Sequence, residues 1–158
     1  VAWSTGSVLG IWYKMLKEKG VIGTTGPDMY RFFFTVDEAV QLVITALENI
    51  DGFHGKVLSR KMKAAQMKDI LRVWIAASGG RFEVIKGRPG ERNEEYLFGE
   101  LELPYTQSII LHDIEHYLIS FNQKTSNPVK QVLSSSNTSM LTDEEILHIV
   151  QNPPFEEL

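Results

Sequence analysis

Hydrophobic residues recur at helical spacing in four stretches of the chain, and each stretch is bounded by a polar cap, a glycine or a proline. Ser7 precedes the first stretch, while Thr35 with Glu38 and Thr142 with Glu145 have the spacing of capping boxes. The pattern predicts helices from Val8 to Gly20, from Thr35 to about Asn49, from Gln66 to Ala77, and from Thr142 to the Pro153-Pro154 pair.

Between the helices lie short apolar runs of the length and composition typical of strands. The central order is strand, helix, strand and turn with short connections, which predicts an α/β fold. The predicted strands are Val21–Thr25, Arg31–Val36, Lys56–Leu58, Phe82–Ile85, Ser108–Leu111 and Tyr117–Phe121.

Residues 123–139 are rich in serine, asparagine and threonine and lack such periodicity, so we predict a loop or an extended arm rather than packed structure. This change in pattern divides the chain into an α/β region, residues 1–122, and a polar arm with a C-terminal helix, residues 123–158. The helix is expected to dock on its own chain or on a neighbouring subunit.

Composition narrows the class of protein. The chain has 158 residues, 43% of them hydrophobic and 23% charged, as expected of one globular domain. The net charge of -4 argues against a nucleic-acid-binding protein. Cysteine is absent, which excludes disulfides and thiolate metal sites, and no apolar run approaches the roughly 20 residues that span a bilayer. We expect a cytoplasmic location, no membrane partner, and, since the chain begins with valine, a processed or excerpted polypeptide.

A charged turn, Lys86-Gly-Arg-Pro-Gly-Glu-Arg92, directly follows the strand predicted at residues 82–85. The guanidinium of Arg88 suits the oxygens of a phosphate group, and the carboxylate of Glu91 can accept hydrogen bonds from sugar hydroxyls. The same sequence is also an ordinary surface turn, so from these residues alone both interpretations remain open.

Two further places are candidates for ligand contact. The loop before the first helix, which ends at Ser7, can offer backbone N–H groups to an anion or a sugar oxygen, or it can simply cap the helix. Arg31 precedes three phenylalanines. It either extends out of the edge of the core or points into a cleft lined by the rings.

The segment His112-Asp-Ile-Glu-His116 has the spelling of an inverted zinc-protease motif. That motif requires a helix, so that both imidazoles share one face, whereas the flanking residues have the pattern of two strands around a turn. We therefore predict no metal site.

Four blocks of the sequence, in order, resemble extended short-chain dehydrogenase/reductases that act on nucleotide sugars. More narrowly they resemble the polysaccharide-biosynthesis type of UDP-N-acetylglucosamine 4,6-dehydratase, some members of which also invert C5. The resemblance implies a small mixed α/β substrate domain, from the C-terminal part of such an enzyme, without most of its Rossmann half. The blocks are Ser4–Leu9, Met29–Val40, Gly87–Arg92 and Ser134–Leu147.

The resemblance also implies roles for individual residues. Arg31 and Arg88 would bind the diphosphate of a UDP-sugar, and Glu91 would accept hydrogen bonds from the ribose. The strand that ends at Thr24 would present backbone groups near the uracil, and the loop with Ser7 would border the sugar or the nucleotide. Glu94 departs from the family pattern, because a histidine is common at that position.

The family uses NADP, bound mainly by an N-terminal Rossmann half with a Tyr-x-x-x-Lys pair. Tyr13 and Lys17 match that spelling at the wrong place in the family order, so we predict that this chain carries no catalytic residue. The implied function is the substrate-binding portion of the dehydratase. The catalytic half would lie upstream or on another chain, and a homo-oligomer is expected. The alternatives are a portion of a UDP-sugar 4-epimerase and a non-catalytic nucleotide-sugar-binding or oligomerisation module.

Overall fold

The computed structural model describes residues 1–153 and has a mixed α/β fold. A single-turn 3₁₀ helix at Leu103–Tyr105 precedes the longest hairpin. The α-helices are α1 (Val8–Lys19), α2 (Val36–Glu48), α3 (Ile50–Phe53), α4 (Met67–Ser78) and α5 (Asp143–Gln151). The strands are β1 (Val21–Thr24), β2 (Tyr30–Phe33), β3 (Val57–Arg60), β4 (Lys63–Gln66), β5 (Arg81–Val84), β6 (Tyr96–Phe98), β7 (Thr106–Leu111), β8 (Ile114–Ile119) and β9 (Leu133–Ser134).

The four predicted helices are all present, and their ends follow the predicted chemistry. Both capping boxes form, with Thr35 and Glu38 at the start of α2 and with Thr142 and Glu145 at the start of α5. Helix α1 ends at Gly20, which adopts a left-handed φ of 64° and donates its N–H to the carbonyl of Leu16. Local sequence therefore sets where α1, α2 and α5 begin and where α1 ends.

The strands form four small sheets rather than one continuous sheet. Strands β1 and β5 pair in parallel, and β2 pairs antiparallel with β4. Strands β3, β8 and β7 form an antiparallel sheet in that order, and β6 pairs antiparallel with β9. The parallel pair places the carboxyl ends of β1 and β5 at the same edge, where the charged turn begins.

The main core lies where α1, α4 and α5 meet. The rings of Trp3 and Trp74 pack edge to face with centroids 5.6 Å apart, and Trp12 lies 6.4 Å from Trp74. Ile146 and Val150 bring α5 onto the same cluster. The last helix therefore docks on its own chain, one of the two arrangements expected from the sequence.

The sequence does not predict strands β4, β6 and β9, and strand β2 is shorter than predicted. Strand β2 ends at Phe33 instead of Val36, because Thr35 is already the N-cap of α2. Strand β4 reads Lys-Ala-Ala-Gln, which has little β propensity, and only its pairing with β2 makes it a strand. Strands β6 and β9 also lack a recognisable pattern, since they have three and two residues.

The prediction of an unpacked arm over residues 123–139 is wrong in its second half. Leu133 packs in a small core with Phe98, Tyr117 and Ile119. Ser134 and Ser135 are buried as well. Their burial follows from the pairing of β9 with β6, and the division of the chain at residue 122 stays a prediction.

The histidines of the zinc-like motif lie on a β-hairpin. His112 and Asp113 form its turn with φ angles of 50° and 61°, and His116 lies on β8 and is 2% exposed. The Nδ1 atom of His116 bonds the carbonyl of Ile114 at 2.9 Å, whereas His112 Nε2 lies 3.0 Å from Glu48 on α2. Within residues 1–153 no cluster of three or more histidine and acidic side chains could hold a metal ion.

Over the described part of the chain, no helix is both long and apolar enough to cross a membrane.

Candidate functional site

The charged turn at residues 86–92 is fastened to the end of β1. The N–H of Ile85 donates to the carbonyl of Thr24 at 2.8 Å, which extends the parallel pairing by one residue. The hydroxyl of Thr25 then donates to Oε1 of Glu91, also at 2.8 Å. The turn therefore lies at the carboxyl edge of the parallel strand pair, the edge where open α/β structures bind ligands.

Glu91 also shapes the turn from inside. Its Oε2 accepts from the backbone N–H of Arg88 at 3.2 Å, and its own N–H donates to the Arg88 carbonyl at 3.3 Å. Gly90 completes the loop with a φ of +85°, a conformation that side chains disfavour. A carboxylate has about four acceptor positions, so Glu91 retains capacity for a further donor such as a sugar hydroxyl.

Arg88 is one of three cations of this turn, with Lys86 and Arg92, whose side chains have no hydrogen bond or ion pair within residues 1–153. Within residues 1–153 its guanidinium makes no hydrogen bond and no ion pair, and the residue is exposed. Because its backbone is held by Glu91, the side chain extends from a fixed base. All five of its N–H donors are available for an anionic ligand.

Arg31, by contrast, is held on several sides. Its Nη1 donates to the Tyr30 carbonyl at 2.7 Å, and its Nη2 donates to the Arg92 carbonyl at 2.9 Å. Its Nη2 also lies 3.0 Å from the sulfur of Met29, and its Nε lies 3.6 Å from Oε1 of Glu95. The side chain is 24% exposed. These bonds fix the plane of the guanidinium beside the end of the charged turn, and the side chain keeps part of its surface accessible.

The remaining two predicted site residues are Thr24 and Ser7. Thr24 is buried and its carbonyl accepts from the N–H of Ile85, so its place near a uracil stays a prediction. Ser7 caps α1 by accepting from the N–H of Gly10 at 3.5 Å. The loop before it is joined to the chain after β2, where Ala2 N–H donates to the Phe34 carbonyl at 2.7 Å. The structure thus joins Thr24, Arg31, Arg88 and Glu91 through one bonded region, and within residues 1–153 no hydrogen bond joins Ser7 to it.

Glu94, which replaces the common histidine, belongs to a polar cluster on β6 and β9. Its carboxylate accepts from the hydroxyl of Ser136, and from the hydroxyl of Tyr96 at 3.2 Å. Hydrogen bonds from Ser134, Ser136 and Tyr96 hold the pKa of Glu94 below its usual value, and the same carboxylate raises the pKa of Tyr96. Glu94 is therefore an anion with local partners.

Sequence reasoning missed three residues of this region. Thr25 bonds Glu91, and Glu95 contacts Arg31. Ser135 bonds the Tyr30 carbonyl and the N–H of Glu95, which belong to the two segments that hold Arg31. Their signals were weak, because all three contacts join residues far apart in the chain. The short serine run at 134–136 beside an apolar residue was the best available indication of a buried polar contact.

Tyr13 and Lys17 do not form an acid–base pair in the structure. The Lys17 ammonium lies 5.9 Å from the centre of the Tyr13 ring, a cation–π distance. Tyr13 packs at the edge of the main core, and its ring lies 6.2 Å from that of Trp3. Both residues have a structural explanation in α1.

Fold and site together define a small mixed α/β unit with two arginines and a carboxylate at the edge of a parallel strand pair. Residues 1–116 match the family model described as "Polysaccharide biosynthesis protein". The chain belongs to this family, and its fold fits the C-terminal part of an extended short-chain dehydrogenase/reductase.

Three individual proteins are similar in sequence to the chain. The chain is 32% identical over 73% of its length to the capsular polysaccharide biosynthesis protein CapD of Staphylococcus aureus, of which it covers 20%. It is 24% identical over 98% of its length to a UDP-glucose 4-epimerase of Rickettsia conorii, and covers 44% of that protein. An uncharacterised membrane protein of Methanocaldococcus jannaschii is 27% identical over 94% of the chain, which covers 46% of that relative.

A solved structure has the same fold. The X-ray structure of Pen from Bacillus thuringiensis superimposes with a TM-score of 0.80 at 25% identity, over 98% of this chain and 47% of that one. The chain thus spans less than half the length of each of these four proteins.

Proposed function

We propose that the chain is the substrate-binding portion of a UDP-N-acetylglucosamine 4,6-dehydratase in the synthesis of surface polysaccharide or glycan sugars. The observation that carries the proposal is that the fixed arginine Arg31 is bonded to the carbonyl of Arg92, at the end of the same charged turn from which the unpaired Arg88 extends. Glu91 bonds the backbone of Arg88 and the hydroxyl of Thr25 in this turn. The family of polysaccharide biosynthesis proteins supports this class of substrate.

The chemistry of these residues suits a nucleotide diphosphate sugar. Arg31 and Arg88 form a diphosphate clamp, in which two guanidinium groups offset the two negative charges of the bridging phosphates. Glu91 accepts from the ribose hydroxyls with its remaining acceptor positions. The backbone at Thr24 faces the uracil, and the loop at Ser7 borders the sugar.

A dehydratase of this kind needs NADP, which supplies a hydride acceptor and donor when it is bound. The described residues do not fit such a dinucleotide. The α-helices begin after Ser7, Thr35, Asn49, Gln66 and Thr142, and no glycine-rich turn from a strand precedes any of these starts in residues 1–153. The proposal therefore assigns binding to this chain and assigns the cofactor to a Rossmann half, in the same polypeptide or on another chain.

A UDP-sugar 4-epimerase is the second candidate, and the similarity to the Rickettsia conorii protein named as one favours it. It would use the same diphosphate clamp without elimination of water. A non-catalytic nucleotide-sugar-binding or oligomerisation module is the third candidate. In each case we propose a cytoplasmic protein that works as a homo-oligomer.

The test incubates the full-length protein with UDP-N-acetylglucosamine and NADP and follows the product by mass spectrometry. A product lighter by one water supports the dehydratase. A product of unchanged mass with an inverted C4 by NMR supports the epimerase instead. Binding of UDP without any turnover would overturn both enzymatic candidates and leave the binding module.

A further inference from the structure

Ser135 lies at the centre of the contacts that hold Arg31, although it is far from Arg31 in sequence. The residue has no exposed surface, and it follows directly after β9. Its hydroxyl donates to the Tyr30 carbonyl at 3.0 Å and accepts from the N–H of Glu95 at 2.9 Å. Its backbone N–H donates to the Glu95 carbonyl at 2.8 Å.

Both partners of Ser135 are also partners of Arg31. The Tyr30 carbonyl accepts from the Ser135 hydroxyl and, at 2.7 Å, from Nη1 of Arg31. Glu95, whose backbone is bonded twice to Ser135, carries the carboxylate 3.6 Å from Nε of Arg31. One buried hydroxyl therefore fastens β2 to the segment after the charged turn at the place where the guanidinium spans them.

We infer that Ser135 is a positioning residue for Arg31 and, by bonding the two segments that hold it, sets the geometry of the diphosphate clamp. Its hydroxyl is used as donor and as acceptor, so a change to alanine removes one donor from the half-buried Tyr30 carbonyl and the side-chain acceptor of the Glu95 N–H. The N–H of Tyr30 still joins β2 to the Asn93 carbonyl at 2.7 Å, but the Tyr30 carbonyl and Glu95, which both contact Arg31, lose their shared hydroxyl, so the plane of the guanidinium is less firmly fixed. The inference rests on the proposed function, because it assumes that Arg31 contacts the diphosphate.

The role predicts a dependence on the phosphates of the ligand that general destabilisation would not produce. Uridine shares the base and the ribose with UDP but lacks the diphosphate that Arg31 would bind. A residue that acts only through Arg31 should change the affinity for UDP and leave that for uridine almost unaltered. A loosened fold would weaken both.

The test measures Kd for UDP and for uridine by calorimetry on the full-length protein. We expect Ser135→Ala to weaken UDP binding about three- to ten-fold, the range for one hydrogen bond, and uridine binding less than about two-fold. Ser134→Ala removes a neighbouring buried hydroxyl that contacts Ser136 and Glu94 rather than β2, so it should leave both constants unchanged. Equal weakening of UDP and uridine by Ser135→Ala would overturn the inference.

A double-mutant cycle separates this inference from the proposed function. In an Arg31→Ala background, Ser135→Ala should have no further effect on UDP affinity, and an undiminished effect would overturn the positioning role. If Arg31→Ala alone leaves UDP affinity unchanged, the diphosphate clamp itself fails and the role of Ser135 fails with it. If the alanine variant does not fold, Ser135→Cys, a close match in size with a weak hydrogen-bonding group, takes its place in the same comparisons.

Discussion

The hydroxyl of Thr25 and the carboxylate of Glu91 are 2.8 Å apart, and this contact joins the end of β1 to the charged turn. Thr25→Val keeps the shape of the side chain and removes the donor. We expect it to weaken UDP binding by about 0.5 to 1.5 kcal/mol, the usual net value of one hydrogen bond, with little change in the thermal midpoint. Calorimetry with UDP and a melting curve check the two parts.

Glu91→Ala should be more harmful than Thr25→Val. It removes the contact with Thr25, the contact with the Arg88 N–H and the proposed acceptor for the ribose. Equal losses of UDP affinity from the two substitutions would mean that Glu91 only shapes the turn and does not contact the ribose.

Arg88→Ala tests the exposed half of the diphosphate clamp. We expect UDP affinity to fall by about 1.5 to 3 kcal/mol, the range for a charge-assisted hydrogen bond, while stability stays unchanged because the guanidinium has no partner in residues 1–153. Arg81→Ala is the matched control, since Arg81 is an exposed arginine at the opposite end of β5. An unaltered Kd in Arg88→Ala would remove this residue from the clamp.

Helix α2 presents a row of hydrophobic residues to solvent, and the family resemblance implies that a second half of the enzyme covers it. We expect residues 1–158, prepared alone, to bind a hydrophobic dye. The row consists of Val36, Val40, Val43, Ile44 and Leu47, which are 41% to 61% exposed.

Val43→Lys should lower the dye signal and change the free energy of unfolding by less than about 0.5 kcal/mol, because the side chain is exposed. Leu101→Lys is the control, since Leu101 is 86% exposed and lies outside α2. A cooperatively melting monomer of residues 1–158 that binds no dye would count against a covered α2.

The stability of α5 should depend on pH through Glu145. Hydrogen bonds from Lys63 and from the N–H of Thr142 lower the pKa of Glu145 below its ordinary value of 4.5. A depressed carboxyl pKa contributes stability that is present above 4.5 and is lost as the pH falls through the folded-state value.

Lys63→Met should therefore lower the thermal midpoint near neutral pH, and the difference from the unchanged protein should shrink below pH 4.5. Lys14→Met, which removes an exposed lysine of α1 that has no ion pair in residues 1–153, should show no such trend. A constant difference at all pH values would separate the effect from Glu145.

The sequence predicts α1, α2 and α5 well because each carries its own periodicity and cap, whereas α4 is predicted from its periodicity alone and the four-residue α3 is not predicted. Helix α2 needs only the spacing of its apolar residues and the pair Thr35 and Glu38. Strand β4 could not be predicted in this way, since its alanines become strand residues only through their pairing with Phe32 and Arg31.

The same difference between local and long-range contacts applies to the candidate site. Arg88 and Glu91 are close in sequence, so their contact is local, and the turn could be found from its residues alone. The environment of Arg31 depends on Arg92, Glu95 and Ser135, which reach it only after β5, β6 and β9 have formed. The pattern of residues along the chain does not show that these residues come together.

The parallel pairing of β1 with β5 has a consequence for the order of folding. Val21 pairs with Arg81, and strands β2, β3 and β4 with helices α2, α3 and α4 lie between them in the chain. Such a pairing closes a long loop, so its entropic cost falls late on the folding pathway, after the local helices have formed. A partly folded chain that has not yet closed this loop would lack the strand edge that carries the charged turn, so the proposed affinity for a nucleotide would appear only after β1 and β5 have paired.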